Sequence, residues 1–274
     1  MPATRTSLAA DLAALGVRPG GVLMVHAAIR SLGPVTGGVN TVIQALLDVL
    51  TPQGTLTAYL DFEPFFDSED EPEVPVFDKR IARAALDHGI LHEAIRTWPG
   101  SVRSDHPDAG VAALGPLAGW IVHPHPFHYG YGPGTPLARI LEAGAQVLML
   151  GAPLDTITLL HHAEHLADIP DKRVVRYRRL MPSPGGPRWM EFEEFDTAEP
   201  VHASLPENCF ERIARDFLAA QPPLPAAAGA GPQAGPVAQA AAYLFPAPEL
   251  VRFAVRWIED ISLTAPGSAL SGSP

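Results

Sequence analysis

The sequence predicts an α/β fold with a central, largely parallel or mixed sheet flanked by helices, and three observations carry that expectation. Val22 to His26 and Thr55 to Leu60 read as buried strands, and Asn40 to Leu50 between them repeats apolar residues at helical spacing. Strand, helix, strand is the unit from which parallel sheets are built. The apolar run Val147-Leu148-Met149-Leu150 then stops at Gly151-Ala152-Pro153 and hands over to a second helical pattern. Finally, Lys172 to Leu180 and Arg188 to Phe195 have β character and are joined by the turn Pro182-Ser183-Pro184-Gly185-Gly186, giving a smaller β-containing subregion.

Each remaining element has its own signal. Leu8 to Leu15 spaces apolar residues as a short helix ended by Gly16, and Pro19-Gly20-Gly21 turns the chain into the first strand. The stripe Val39, Val42, Ile43, Leu46, Leu47 and Leu50 marks the next helix, stopped by Pro52-Gln53-Gly54. Arg80 to Trp98 is helical in pattern and breaks at Pro99-Gly100; Val111 to Leu114 is a short strand and Pro116 to Ile121 a short helix. The loop from His123 to Pro136, rich in His, Pro, Gly and Tyr, has the length and composition of a functional loop. Leu137 to Ala143 and Phe210 to Ala220 are helices, and Gln146 to Leu150 is a central strand. Gln221 to Pro236 is Pro, Ala and Gly with no apolar period, which predicts a mobile connector. Order resumes at Ala238 to Phe245 and Glu249 to Ile261. The expected organisation is one domain over residues 1–262, with the 221–236 connector inside it and a disordered tail at 263–274.

Composition limits the partners. The 274 residues are 47% hydrophobic and 18% charged, and no apolar run reaches the roughly 20 residues that span a bilayer, so no membrane role is expected. The first 20 residues lack an apolar signal region, and the single cysteine, Cys209, can form no internal disulfide; a reducing cytoplasm is the simplest home. A formal charge of −11 argues against nucleic acid and suits a cationic ligand. From Asp61 to Glu73 the acids Asp61, Glu63, Asp67, Glu69, Asp70, Glu71 and Glu73 occur with no intervening base, although a solvated loop kept irregular by Pro64 and Pro72 would look the same.

Chemistry concentrates in Gly151 to Pro170. With Asp155 and Thr156 as caps, Thr158, His161 and Glu164 recur every third residue, which at about 100° per residue puts a hydroxyl, an imidazole and a carboxylate on one helix face. The same spacing suits ordinary polar positions on an amphipathic helix. His161 and His165, spaced i, i+4, also suit a metal-binding helix and hence a metal-dependent hydrolase, but the order differs from HExxH and no nearby cysteine or acidic pair completes a site.

Residues 147–170, VLMLGAPLDTITLLHHAEHLADIP, followed by KRVVRY at 172–177, resemble the signature of the aminoglycoside 3-N-acetyltransferases. GVLMVHAAIRSLGPVTGG (21–38), RSDHPDAGVAALGPLA (103–118), Phe195-Asp196-Thr197 and AYLFPAPELVRFAVRWIE (242–259) resemble further segments of that family, in the same order. The resemblance implies an α/β fold distinct from the GNAT acetyltransferases, with a cleft between two subregions. It implies acetyl-coenzyme A as co-substrate and no metal. The acceptor is then the 3-amino group of the deoxystreptamine ring in a polycationic aminoglycoside, an activity associated with antibiotic resistance; another amine acceptor would need the same chemistry. Ala27 and Ala28 stand where the family often carries Ser-Ser or Ala-Ser.

On this reading Thr158, His161 and Glu164 form the family's Thr-x-x-His-x-x-Glu. His161 takes the proton of the attacking amine, Glu164 orients it and Thr158 donates to the oxyanion, with no acyl-enzyme. Coenzyme phosphates need cations and close backbone approach, which points to Arg30, Ser31, Leu32 and Gly33 after the first strand and to Arg103, Ser104 and His106. Asp61, Glu63, Asp168 and Asp196 are the expected acceptor carboxylates, with Tyr129 and Tyr131 covering the cleft, and the assembly state is monomer or homodimer.

Overall fold

A computed structural model describes residues 1–62, 75–85, 88–220 and 231–264. Helix α1 (Arg5–Leu15) leads into strand β1 (Val22–Ala27); a 3-10 turn (Ile29–Leu32) and α2 (Gly38–Leu50) lead to β2 (Thr55–Leu60). Next come α3 (Ile90–Arg96), β3 (Val102–Arg103), β4 (Gly110–Leu114), α4 (Ala118–Val122), α5 (Pro136–Glu142) and β5 (Gln146–Leu150). A second 3-10 turn (Leu154–Thr156) precedes α6 (Leu159–Leu166), and the hairpin β6 (Val174–Met181) and β7 (Arg188–Phe195) follows. The chain continues as α7 (Cys209–Ala220), β8 (Gln233–Val237), β9 (Ala240–Pro246) and α8 (Ala247–Thr264).

Seven strands form one mixed sheet in the order β3-β4-β2-β1-β5-β9-β8, and β6-β7 form a separate ribbon. β1 runs parallel to both β2 and β5, while β4 and β9 flank this parallel trio antiparallel. Every residue of β1, β2 and β5 is buried, because helices cover both faces and alternation therefore vanishes. Leu23, Val25, Leu148 and Leu150 pack with α1, α2 and α3 on one face. Met24, Val147 and Met149 pack with α4 to α8 on the other. The hairpin has its own small cluster, in which Met181 and Phe192 meet Phe62, Phe77 and Ala82. No described helix is long and apolar enough to cross a membrane.

Four sequence expectations change. The helix expected over Arg80–Trp98 forms only from Ile90, because Gly89 at φ 77° sits in the left-handed region where a right-handed helix cannot continue. Gln233 to Pro236 is not connector but edge strand β8, where Pro236, which has no N–H, is tolerated beside a single partner strand; residues 221–230 of that segment lie outside the described residues. Helix α8 runs on to Thr264, past the expected end of order, and the rest of the expected tail is not described. Asp155 and Thr156 do not cap α6. They belong to a 3-10 turn in which the Thr156 hydroxyl donates to Pro153 C=O at 2.7 Å, and α6 begins at Leu159.

Candidate active site

β1 has β2 on one side and β5 on the other, both parallel to it, so the chain leaves the carboxyl ends of β1 and β5 in opposite directions. Such a switch point opens a crevice. The crevice here is a cavity of about 970 Å³, lined by residues from the ends of all three parallel strands: His26 to Arg30, Tyr59 with Asp61, and Ala152 with Pro153. Gly151 makes the junction possible: at φ 67° it turns β5 away from the sheet, and a Cβ there would overlap the Ser31 side chain.

Helix α6 supplies the reactive wall. His161 lines the cavity, and its Nδ1 is 2.8 Å from Glu164 Oε2 one turn on. The Glu164 side chain is only 5% exposed, so this carboxylate faces the imidazole rather than water. A carboxylate accepts, so Nδ1 is the donor and the neutral ring keeps its lone pair on Nε2. The ring is clasped between Phe210, edge-on with centroids 4.7 Å apart, and Tyr131 at 5.1 Å. Thr158, one turn before, also lines the cavity. Of the expected helix face, Thr158 and His161 thus meet the crevice, and Glu164 is buried behind the His161 ring.

The other two histidines of α6 have separate tasks. His162 is buried and donates from Nδ1 to Tyr131 C=O at 2.8 Å, with burial holding its pKa below the ordinary value. His165 Nε2 is 2.8 Å from Glu194 Oε1 on β7. His161 and His165 therefore turn to different carboxylates, and among the described residues no three His, Cys, Asp or Glu side chains group as a metal site. Cys209 is buried and its thiol is pushed up to about 12, chiefly by burial and then by Glu164, which keeps it protonated rather than nucleophilic.

The expected coenzyme residues divide. Arg30 lines the cavity. Ser31 stands beside it with its hydroxyl donating to Ala28 C=O at 2.7 Å, Gly33 adopts φ 73° at the end of that turn, and Leu32 is core. Arg103, Ser104 and His106 do not line the cavity. Arg103 is buried over the Phe77 ring and donates to Ala82 C=O at 2.7 Å, with burial lowering its pKa to about 10. Ser104 Oγ accepts from Val111 N–H at 2.9 Å. His106 Nδ1 accepts from the N–H groups of Asp108 and Ala109 while Nε2 donates to Phe127 C=O, a pattern only the neutral ring can make, and burial depresses its pKa accordingly. These three bond to backbone around the β3 edge of the sheet rather than face the cavity.

The expected acceptor residues divide as well. Asp61 lines the cavity, its Oδ1 2.5 Å from His88 Nε2. Glu63 lies outside the described residues. Asp168 is exposed beyond the end of α6, and its N–H donates to Glu259. Asp196 spends its carboxylate on the Ala198 N–H at 3.0 Å, although its neighbour Thr197 does reach the cavity. Tyr129 does not cover the cleft: its hydroxyl donates to Glu193 Oε1 at 2.6 Å, out on the hairpin. Tyr131, two residues later, takes the place at the cavity wall.

His26, Tyr59, His88, His92 and Phe210 were not singled out from sequence. His26 is buried with its pKa lowered to about 3, first by burial and then by His92 and His88, so it is neutral at physiological pH. The Tyr131 and Tyr59 hydroxyls share a hydrogen bond at 2.7 Å, and Asp108 C=O accepts beside them, 2.6 Å from Tyr59 and 3.3 Å from Tyr131. The one available signal was position, since His26 and Tyr59 lie at the carboxyl ends of β1 and β2, where open α/β sheets carry their sites.

Known proteins match this arrangement along nearly the whole chain. A family profile described as aminoglycoside 3-N-acetyltransferase matches residues 24–259. Aminoglycoside N(3)-acetyltransferase III of Pseudomonas aeruginosa is 42% identical over 270 residues, which cover 95% of each chain. A structure of AAC-IIIb in binary complex with CoASH superposes at a TM-score of 0.88 and 46% identity, over 95% of this chain and 97% of that one. A structure of AAC-VIa bound to sisomicin gives 0.86 and 34%, over 95% and 98%. Fold, crevice and likeness together define the class, an α/β enzyme that transfers acyl groups. The chain belongs to the aminoglycoside 3-N-acetyltransferase family.

Proposed function

We propose that this enzyme transfers the acetyl group of acetyl-coenzyme A to the 3-amino group of an aminoglycoside deoxystreptamine ring, by direct attack of the amine with His161 as general base. The single observation that carries the mechanism is the 2.8 Å bond from His161 Nδ1 to the buried Glu164, in a ring that lines the cavity. The amine nitrogen bonds to the thioester carbon as its proton passes to His161 Nε2, and Glu164 stabilises the imidazolium that forms. Thr158 offers a hydroxyl to the oxyanion. Collapse breaks the C–S bond, and the proton held on Nε2 neutralises the departing thiolate. The CoASH held by the AAC-IIIb structure and the sisomicin held by the AAC-VIa structure support the two substrate classes. Arg30 suits the coenzyme's phosphates, and Asp61 and Asp155, which line the same cavity, suit ammonium groups.

The test is release of free thiol from acetyl-coenzyme A with gentamicin, with tobramycin and with no acceptor, followed by the mass of the product. Acceptor-dependent release with a gain of one acetyl group is expected, and His161→Ala should cut turnover roughly 10²–10⁴-fold. Near-normal turnover in that variant removes His161 from the role.

A further inference from the structure

A second imidazole–carboxylate pair sits behind the first. Glu194 is 3% exposed and gathers three N–H donors on its two oxygens. Oε1 accepts from His165 Nε2 at 2.8 Å and from its neighbour Phe195 N–H at 2.8 Å, while Oε2 accepts from Tyr131 N–H at 3.3 Å. The three donors come from α6, from β7 and from the loop between α4 and α5. Tyr131 is then fixed at its other polar atoms, its C=O by His162 Nδ1 and its hydroxyl by Tyr59. There is little room to settle elsewhere, since a Cβ on Gly132 would come within 2.8 Å of His165 Nδ1. The side chain so held packs its ring against His161, 5.1 Å between centroids.

We propose that Glu194 is a positioning residue for acetyl transfer: by tying His165 of α6 to the backbone of Tyr131, it fixes the aromatic wall against which the His161 ring is aligned. Two oxygens are needed. A glutamine could accept with only one, and its NH₂ would confront either Tyr131 N–H or the His165 and Phe195 donors. Glu194→Gln, nearly isosteric, therefore frees Tyr131 without emptying the site. The inference rests on the reading of His161 as base, because only then does the angle of that ring set the rate.

The experiment compares kcat and both KM values for Glu194→Gln, Tyr131→Ala, the double variant and His161→Ala, on protein shown by its thermal transition to be folded at the assay temperature. Glu194→Gln is expected to lower kcat roughly 10- to 100-fold with both KM values within about twofold, in keeping with the cost of slight misplacement of a reacting group. In the Tyr131→Ala background the same change should do nothing further, since the wall it orients is gone. Should Glu194→Gln fail to fold, His165→Ala cuts the same tie from the helix side and carries the same two expectations. Unchanged kcat in the single variant, or losses that multiply in the double, overturns the proposal. Retained turnover in His161→Ala overturns the base assignment instead, so the two failures are told apart.

Discussion

Replacing Glu164 with glutamine keeps the volume of the side chain and removes its charge. In the enzyme, Glu164 is the buried partner of His161 at 2.8 Å. A hydrogen bond to a charged group contributes about 1.5–3 kcal/mol, and here that contribution is fully expressed only when the ring is an imidazolium, as it becomes during attack. At about 1.4 kcal/mol per decade, losing it lowers kcat roughly 10- to 150-fold. A Gln oxygen can still accept from Nδ1, so the tautomer survives and the loss stays near this range. The assay is steady-state thiol release under saturating acetyl-coenzyme A and acceptor, with both KM values measured alongside. The KM values should hold, because the bond strengthens in the transition state rather than in the ground state. A kcat within a factor of two of the parent would refute the assignment of Glu164 as the group that stabilises the charged ring.

Arg30→Glu should raise the coenzyme KM about tenfold or more, whereas Arg103→Ala, which empties a buried site over Phe77, should lower the thermal midpoint; the two effects are read by initial rates and by thermal denaturation. Asp61→Asn should raise the acceptor KM about 5- to 30-fold, equivalent to roughly 1–2 kcal/mol for a partly desolvated carboxylate and ammonium, and added salt should raise the parent's acceptor KM in the same direction. Acid should unfold the protein early. His26 and His125 have folded pKa values lowered to about 3 and about 4, so each stays neutral in the fold while the unfolded chain takes up a proton below about 6.5. Stability is complete above that value and is lost as pH falls towards the folded pKa values, by roughly 2 kcal/mol per ring at pH 5. Urea titrations at pH 7 and pH 5 measure the difference, and His26→Gln should remove that ring's share and leave the share of His125.

Periodicity carried most of the framework. β1, β2 and β5 stand where apolar runs put them, because burial on two faces leaves strands continuously apolar, α2 stands on its helical stripe, and the β6–β7 hairpin stands where its turn residues put it. The alignment of Thr158, His161 and Glu164 was legible for a related reason, since spacing by three is local geometry; two of the three line the crevice and Glu164 bonds to His161 from behind. What could not be read depends on which backbone lies across the sheet. Arg103, Ser104 and His106 have the residue types of an anion site, yet they bond to Ala82, Val111, Phe127 and the Asp108–Ala109 turn rather than face the cavity. Tyr129 and Tyr131 share a loop and a residue type, and only the left-handed conformation at Tyr129, φ 53°, together with its bond to Glu193, sends one outward to the hairpin and leaves the other on His161. Pro236 looked like connector because composition does not say which strand has an open edge.

Strand β9 lies inside the sheet, between β5 and the edge strand β8. β9 pairs along the whole of β5, from Gln146 opposite Pro246 to Leu150 opposite Ala242, and α8 packs against α6. The Ala238 N–H, in the turn before β9, donates to Asp11 of α1, so the beginning of the chain waits for its end. Without β9 and α8, β5 has an unpaired flank and the helix that carries His161 and Glu164 loses its main helical neighbour. A chain cut before residue 240 lacks both β9 and α8, and it is expected to show no acceptor-dependent thiol release rather than a reduced rate.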